Sequence, residues 1–317
     1  KVQATRLGGI AIVSYMVMHL GYQFYMGVYL PLVEEVLMIV TCVAYFAVGV
    51  YEDLSGLLSA RLRFVVMLGV GLITMLMAPG LALEPVGIFW VDLIVNASPL
   101  VAAMFTALCV AFIPNAFNTA DGANGLVAGV SACALAGLTT VAPTSLGPFL
   151  LAGLVGCLVF LVFNLVSGRF FLGDGGAYFL GALCGLSLVV VANNSSVSAW
   201  WLVSLIFYPV ADLMWSMGRR IMQGVSPFKP DNQHFHNLLF AYLDSAGRSS
   251  MQANTMTGVL IALIFSGAPL ALTLTGSWQL ESDFWTLWVL SQWAAYALGW
   301  KYLNDRLCVL PRASGQM

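Results

Sequence analysis

The chain has 317 residues, of which 60% are hydrophobic and only 8% are Asp, Glu, Lys or Arg. A soluble domain carries roughly 25% charged residues, so a soluble enzyme, a disordered chain and a fibrous protein are all excluded. The net charge of -2 lacks the basic balance of a nucleic-acid binder, which leaves an all-α polytopic integral membrane protein, read here as a single transmembrane domain over residues 1–317.

Lys1 and Arg6 precede the first apolar run, and the chain opens without an initiator Met, as if inside a loop; one N-terminal helix is expected to be missing. Apolar runs then follow at 10–28, 33–50, 62–78, 101–118, 125–142, 148–166, 176–193, 198–217, 254–275 and 284–303. Each approaches the roughly 20 residues a membrane helix needs. Each is continuously apolar, not alternating, which favours helices over a barrel. The sequence therefore predicts about ten transmembrane helices. The run at 86–95 is too short to span and is expected to be interfacial or re-entrant. With residues 1–9 on one side, all 12 Lys and Arg fall on that side or at a span end touching it. Glu34, Glu35, Glu84, Asp92, Glu281 and Asp283 fall opposite. The positive-inside rule makes the basic side, with the C-terminus, cytoplasmic. Trp90, Trp200, Trp201, Trp215, Trp278, Trp285, Trp288 and Trp300 lie near predicted span ends, as interface anchors do. Five of the six Cys sit in apolar runs without CxxC spacing and read as small buried hydrophobes.

Four loops on the basic side carry most of the polar chemistry. Glu52-Asp53 follows the second run; adjacent carboxylates serve a divalent metal or a proton abstraction, or simply end a solvated helix. The segment 115–126 holds Asn115, Asn118, Asp121 and Asn124 with Gly122 and Gly125. Asn118 and Asp121 share one face of a helical turn, and the glycines permit close approach of a ligand. Capping is the plainer reading, yet four such groups between two very apolar spans exceed what capping needs. In the third loop Asp174 lies among glycines, a setting in which backbone packs on phosphate while the acid holds a metal; a flexible turn is the alternative, and the GK[ST] tail of a Walker motif is absent. The longest loop, 218–253, brings Arg219, Arg220, Lys229, His234, His236 and Arg248 into the most basic region of the chain. Its cations suit a diphosphate. H-x-H is also a metal pattern, but no Cys lies nearby for a structural zinc.

Two further residues stand inside spans. His19 is expected to be a packed or hydrogen-bonded helix residue. Asp212 lies deep in the eighth run, where a carboxylate costs a few kcal/mol; it needs a partner or a polar cavity, and Arg219 and Arg220 two turns on are the nearby cations. Together, Asp53, Asp121 and Asp174 beside a basic His/Arg loop describe metal-dependent phosphoryl chemistry at headgroup level. One substrate would come from the cytosol and one from the lipid.

NxxNxxDGxxGL at 115–126, FLGDxG from Phe171 and SPFxPDxQHxH at 226–236 occur together. In these motifs the chain resembles the polyprenyl-phosphate N-acetylhexosamine-1-phosphate transferase family, glycosyltransferase family 4. It is most similar to the branch using UDP-N-acetylglucosamine or a related UDP-N-acetylhexosamine; the three-histidine signature of the peptidoglycan branch is absent. The resemblance implies transfer of a sugar-1-phosphate, GlcNAc-1-phosphate in the first instance, from UDP-N-acetylhexosamine to undecaprenyl phosphate. UMP would leave, Mg2+ (or Mn2+ in its place) would be required, and a cell-envelope glycan such as O-antigen would begin. It also implies a bacterial inner-membrane location and a homodimer. By the same resemblance Asp174 is the main metal ligand, and Asn118 and Asp121 shape the metal and nucleotide site. Glu52 and Asp53 position or deprotonate the lipid phosphate. Arg220, His234 and His236 hold phosphates or sugar, and Asn115, Asn124 and Lys229 bind substrate. The chain departs from the family pattern at Glu52 and Asn124, each in place of an Asp, at Asn232 in place of Arg, at Gly175-Gly176-Ala177, and at Asn237 in place of a further His. These departures leave room for altered sugar choice or weak activity, and for a non-catalytic member of a glycan assembly complex. A transporter is the remaining rival, but apart from Asp212 the spans hold almost none of the intramembrane charge a transport path carries.

Overall fold

The computed structural model describes residues 8–168 and 170–309. Lys1, Arg6, Arg169 and Arg312, which enter the charge threading, lie outside the described residues. Every repeating element among the described residues is a helix. In chain order these are α1 Gly8–Tyr25, α2 Val33–Ser55, α3 Ala60–Met77, α4 Phe89–Val95, α5 Pro99–Ala120, α6 Leu126–Leu138 and α7 Gly147–Ser167. They are followed by α8 Gly173–Asn194, α9 Ala199–Leu205, α10 Phe207–Met222, α11 Phe235–Ser245, α12 Ser250–Ala262, α13 Ala268–Leu274 and α14 Phe284–Val309. A 3-10 turn, Pro79–Leu81, precedes α4, and a π-turn, Leu263–Gly267, joins α12 to α13.

All ten expected runs are helical, but length and apolarity support fewer crossings. Six stretches qualify: α2, α3, α5, α7, α8 and the continuous Ser250–Leu274. A seventh is the pair α9 and α10, bent by 84°. The count of ten is not reached for identifiable reasons. With 13 residues, α6 is about 20 Å long, short of a hydrocarbon core of about 30 Å. Ser14, His19 and Gln23 lower the apolarity of α1, and Gln292, Lys301, Asp305 and Arg306 that of α14.

The bends have local causes. Pro209 has no N–H to offer the carbonyl of Leu205, and the helix breaks between α9 and α10. Pro269 likewise frees the Phe265 carbonyl at the π-turn. The Gln292 amide of α14 donates to that carbonyl (2.7 Å) and to the Ser204 carbonyl next to the first break (3.3 Å), so one side chain satisfies an acceptor at each bend. Segment 86–95 contains the short α4, held by Asp92, whose carboxylate accepts from the amides of Val86 (2.7 Å) and Gly87 (3.1 Å). Trp201 and Trp285 are fully buried and therefore are not interface anchors: their indoles donate to Thr273 Oγ1 (2.8 Å) and the Gln279 carbonyl (3.1 Å). His19 pairs with Gln23 (2.7 Å) and stacks on Tyr15, as expected of a helix residue.

The centre of the bundle is α8, which is buried on nearly every face and packs against α1, α2, α5 and α6. Close approach depends on small residues, the usual device between membrane helices. Gly49 of α2 lies on the backbone of Gly175, so that a Cβ there would collide with main-chain atoms. Because backbone cannot yield, Gly49→Val is expected to cost about 3 kcal/mol or more, read as a lowered melting temperature of the purified protein in detergent; an unchanged melting temperature would refute this packing. The contact matters beyond stability. It brings the last turn of α2 beside the first turn of α8, and with the ends of α3, α5, α10 and α11 these form one polar end of the bundle.

Candidate active site

Three helix ends build an acidic cluster around one arginine. Glu52 and Asp53 occupy the last turn of α2, which ends at Gly56 in the left-handed conformation (φ 63°). Ser59 then caps α3, its hydroxyl accepting from the Leu62 amide (3.3 Å), and sets Arg63 within the first turns of that helix. Gly173, at φ 78°, turns the chain into α8 and leaves Asp174 in its first turn, where the helix dipole favours an anion. The Asp53 carboxylate accepts from the Gly175 amide (3.1 Å), so α2 supplies a cap for α8. Arg63 Nη1 lies 2.5 Å from Asp174 Oδ2 and 3.7 Å from Glu52 Oε1, and its guanidinium lies 5.9 Å from the centre of the Tyr178 ring. Asn118, near the end of α5, donates to Asp174 Oδ2 (3.3 Å) and to the Tyr178 hydroxyl (3.0 Å). Glu52 Oε2 accepts from the Leu58 amide (2.7 Å).

Among the described residues no group of three His, Cys, Asp or Glu is arranged to hold a metal. Mg2+ does not require one, since it takes one or two carboxylates and completes its shell with waters and substrate phosphates. Asp174, Glu52 and the amide oxygen of Asn118 are hard oxygen donors of that kind. The Asp174–Glu52 pair already holds a cation, the guanidinium of Arg63.

The 226–234 loop folds back onto α10. Arg220 Nε and Nη2 donate to the Ser216 carbonyl (3.1 Å) and hydroxyl (3.0 Å), and Nη1 donates to the Lys229 carbonyl. Arg219 pairs with Asp231 and Gln233 and lies 5.2 Å from the Trp300 ring. Burial pushes the Asp231 carboxyl up, but the Gln233 amide, the Ser216 hydroxyl and Arg219 outweigh it and hold the group below the usual carboxylate range.

Asp212 is paired with His234, not with Arg219 or Arg220. Its Oδ2 lies 2.7 Å from His234 Nδ1, and its Oδ1 accepts from the Phe235 amide (2.9 Å) and the Tyr296 hydroxyl (2.7 Å). His236 lies beyond, 3.0 Å from the Tyr208 hydroxyl through Nδ1. Burial, reinforced by His234 and opposed by Asp212, lowers the His236 pKa from the ordinary 6.5 to about 4. Between those values the unfolded chain holds a proton that the folded chain does not, so stability falls as pH drops through the window. The melting temperature is expected to be lower at about pH 5 than at about pH 7.5, and the difference to shrink in His236→Gln; an equal pH effect in both proteins would exclude His236 as the cause.

A cavity of about 520 Å³ lies between α3, α5, α10 and the 227–234 loop. Arg63, Asn115, Thr119, Arg220, Lys229, His234 and the Arg219-paired Asp231 line its polar part, and Phe64, Leu108, Phe112, Leu213 and Met217 form an apolar wall. Of the residues singled out in the sequence, Glu52, Asp53, Asn118 and Asp174 thus meet in one cluster. Asn115, Arg220, Lys229 and His234 face the adjoining cavity, which Arg63 shares with the cluster. Asp121 caps the C-terminal end of α5, its amide donating to the Asn118 carbonyl (3.3 Å). Asn124 is held against α12 instead, through the side chains of Asn254 (2.7 Å) and Thr255 (3.3 Å). Sequence reasoning missed Arg63, which enters it only as one charge of the topology, and Tyr178, for which the signal was its place one helical turn after Asp174.

Residues 36–192 match Glycosyl transferase family 4, a stretch that takes in Glu52, Asp53, Arg63, Asn118, Asp121 and Asp174. The chain is 32% identical over 170 residues to the undecaprenyl-phosphate alpha-N-acetylglucosaminyl 1-phosphate transferase of Escherichia coli (strain K12), covering 50% of this chain and 44% of the relative. It is 30% identical over 242 residues to the probable undecaprenyl-phosphate N-acetylglucosaminyl 1-phosphate transferase of Bacillus subtilis (strain 168), covering 73% of this chain and 63% of the relative. The alignment therefore spans less than half of the first relative's length and less than two thirds of the second's.

Proposed function

Because the chain belongs to glycosyl transferase family 4, we propose that it transfers N-acetylhexosamine-1-phosphate, in the form of GlcNAc-1-phosphate, from a UDP-sugar to undecaprenyl phosphate and releases UMP. The observation that carries this reading is the joining of the Glu52–Asp53–Asp174 cluster to a cation-rimmed cavity with an apolar wall, through Arg63. A lipid phosphate needs both kinds of surface at once: cations for its head and apolar wall for the start of its chain.

In the reaction an oxygen of the lipid phosphate attacks the sugar-bearing phosphorus of the donor. A new P–O bond forms, the bond to the bridging oxygen of the diphosphate breaks, and UMP departs with that oxygen. Little covalent chemistry falls to the protein, so positioning and charge neutralisation dominate. Arg63, Arg220 and Lys229 face the phosphates, and Glu52 and Asp53 orient the acceptor. Asp174, with Glu52 and Asn118 beside it and Asp121 one turn beyond Asn118, would hold Mg2+ or Mn2+, which supplies further neutralisation of the diphosphate when bound.

The site is proposed to face the cytoplasm of a bacterial inner membrane, on the evidence of the basic side chains gathered at that end. Ten crossings remain the proposed topology, with α6 extended by the hydrogen-bonded turns at 139–142: α1 and α6 pack on α7 and α8, and α14 packs on α9, as membrane neighbours would. Incubating the purified protein with undecaprenyl phosphate, Mg2+ and a panel of radiolabelled UDP-sugars tests the donor assignment. Label from UDP-GlcNAc is expected in the butanol-extracted lipid; label from no acetylated amino sugar, or only from the peptidoglycan precursor, would overturn it.

A further inference from the structure

The two imidazoles of the H-x-H motif are indistinguishable in sequence but stand in different surroundings. They are stacked, with centroids 5.5 Å apart and planes 12° apart. A carboxylate only accepts hydrogen bonds, so His234 Nδ1, 2.7 Å from Asp212 Oδ2, carries its hydrogen. His236 Nδ1 meets the Tyr208 hydroxyl instead (3.0 Å). That hydroxyl oxygen already accepts the backbone N–H of His236 (3.1 Å), and Tyr208 is fully buried. A buried hydroxyl hydrogen requires an acceptor, and among the described residues His236 Nδ1 is the only other hydrogen-bond partner of this group. Nδ1 of His236 therefore accepts, and its hydrogen sits on Nε2.

We propose that the neutral motif holds two opposite tautomers with separate duties: His234 presents the lone pair of Nε2 to the cavity as an acceptor for a hydroxyl or amide N–H of the acetylated amino sugar, while His236 directs its Nε2–H edge at the 121–125 turn and does not touch substrate. The surroundings agree with this division. His234 lines the cavity. His236 abuts Gly122, where a Cβ would come within 2.5 Å of its Nε2. Asp212 and Tyr208 are then positioning residues, each acting through one histidine, as the outer partners of functional imidazoles do. The identity of the ligand rests on the proposed function; the tautomers do not.

The test is a ¹⁵N spectrum of the full chain in detergent with ring-labelled histidine, taken at about pH 9 to keep unperturbed imidazoles neutral. The chain has three histidines, and His19→Gln and His236→Gln assign them by subtraction. His234 is expected to be protonated at Nδ1 and His236 at Nε2. The same tautomer on both, or a His234 protonated on both nitrogens, overturns the proposal. If a variant does not fold, the wild-type spectrum still shows whether both tautomers occur among the three rings. A second readout concerns activity. Asp212→Asn is expected to lower kcat by about 10- to 100-fold and to add nothing in a His234→Gln background; additive losses would assign Asp212 a structural role instead. Opposite tautomers in a protein without transfer activity would sink the proposed function alone, and matched tautomers in an active enzyme would sink this inference alone.

Discussion

Asp174→Asn is expected to all but abolish transfer, lowering kcat by about 150- to 1,000-fold, while the protein stays folded. The side chain accepts from Arg63 and Asn118 at the first turn of α8, and the amide of Asn preserves its size and one acceptor oxygen. What is removed is the negative charge that, in the proposed reaction, holds a cation against the diphosphate. Losing a single well-aimed electrostatic group of this kind costs about 3–4 kcal/mol in the transition state. The stability cost is small by comparison: the Arg63–Asp174 pair is partly exposed, with side chains 15% and 24% accessible, and such pairs contribute about 1 kcal/mol or less. The measurement is kcat beside the melting temperature of the same preparation. Retained turnover in folded protein would remove Asp174 from the centre of the site.

Arg63→Ala has the second largest expected effect, with two parts of opposite sign. Arg63 bridges Asp174 and Glu52 and also lines the cavity. Without it the phosphates lose a cation, and kcat is expected to fall by about 100-fold or more. The two carboxylates also lose their resident counter-charge, so a divalent ion meets less competition there, and Mn2+ is expected to bind more tightly in the absence of substrate. Arg63→Lys is expected to recover little, because an ammonium cannot span two carboxylates as a planar guanidinium does. Mn2+ titration followed by electron paramagnetic resonance, alongside steady-state rates, checks both parts. Weaker Mn2+ binding in Arg63→Ala would show that the guanidinium helps to organise the metal site and does not compete for it.

The helices were legible because lipid leaves the backbone few alternatives, and every apolar run longer than about 17 residues had to be helical. How many cross was less legible, since α6 is short and α14 is interrupted by Gln292 and Lys301. The four polar loops could be grouped from sequence because each sits at the same end of its helix, a fact that chain direction alone supplies. Side-chain direction was not available in the same way. For Asp212 the sequence offers a partner or a polar cavity, with Arg219 and Arg220 as the nearby cations two turns on. Seven and eight residues of α10 put those guanidiniums about 10–12 Å further along the helix axis, and the segment returning through His234, with Tyr296 of α14, reaches Asp212 instead; which segment returns there has no signature in the run of residues. Asn124 shows the same limit: in its motif Asn118 meets Asp174 and Asn115 faces the cavity, yet its own side chain turns to α12. Arg63 lies outside every recognisable motif and becomes part of the site only when α3 packs against α2 and α5, whose ends meet that of α8.

The most direct test of the central claim, that this end of the bundle is one phosphoryl-transfer site shared by a lipid and a nucleotide sugar, is UMP release by the purified protein. The account predicts release from UDP-GlcNAc only when undecaprenyl phosphate and Mg2+ are both present, with one lipid consumed for each UMP formed. Release that ignores the lipid or the metal, or no release with any acetylated amino sugar donor from protein shown to be folded, would contradict it.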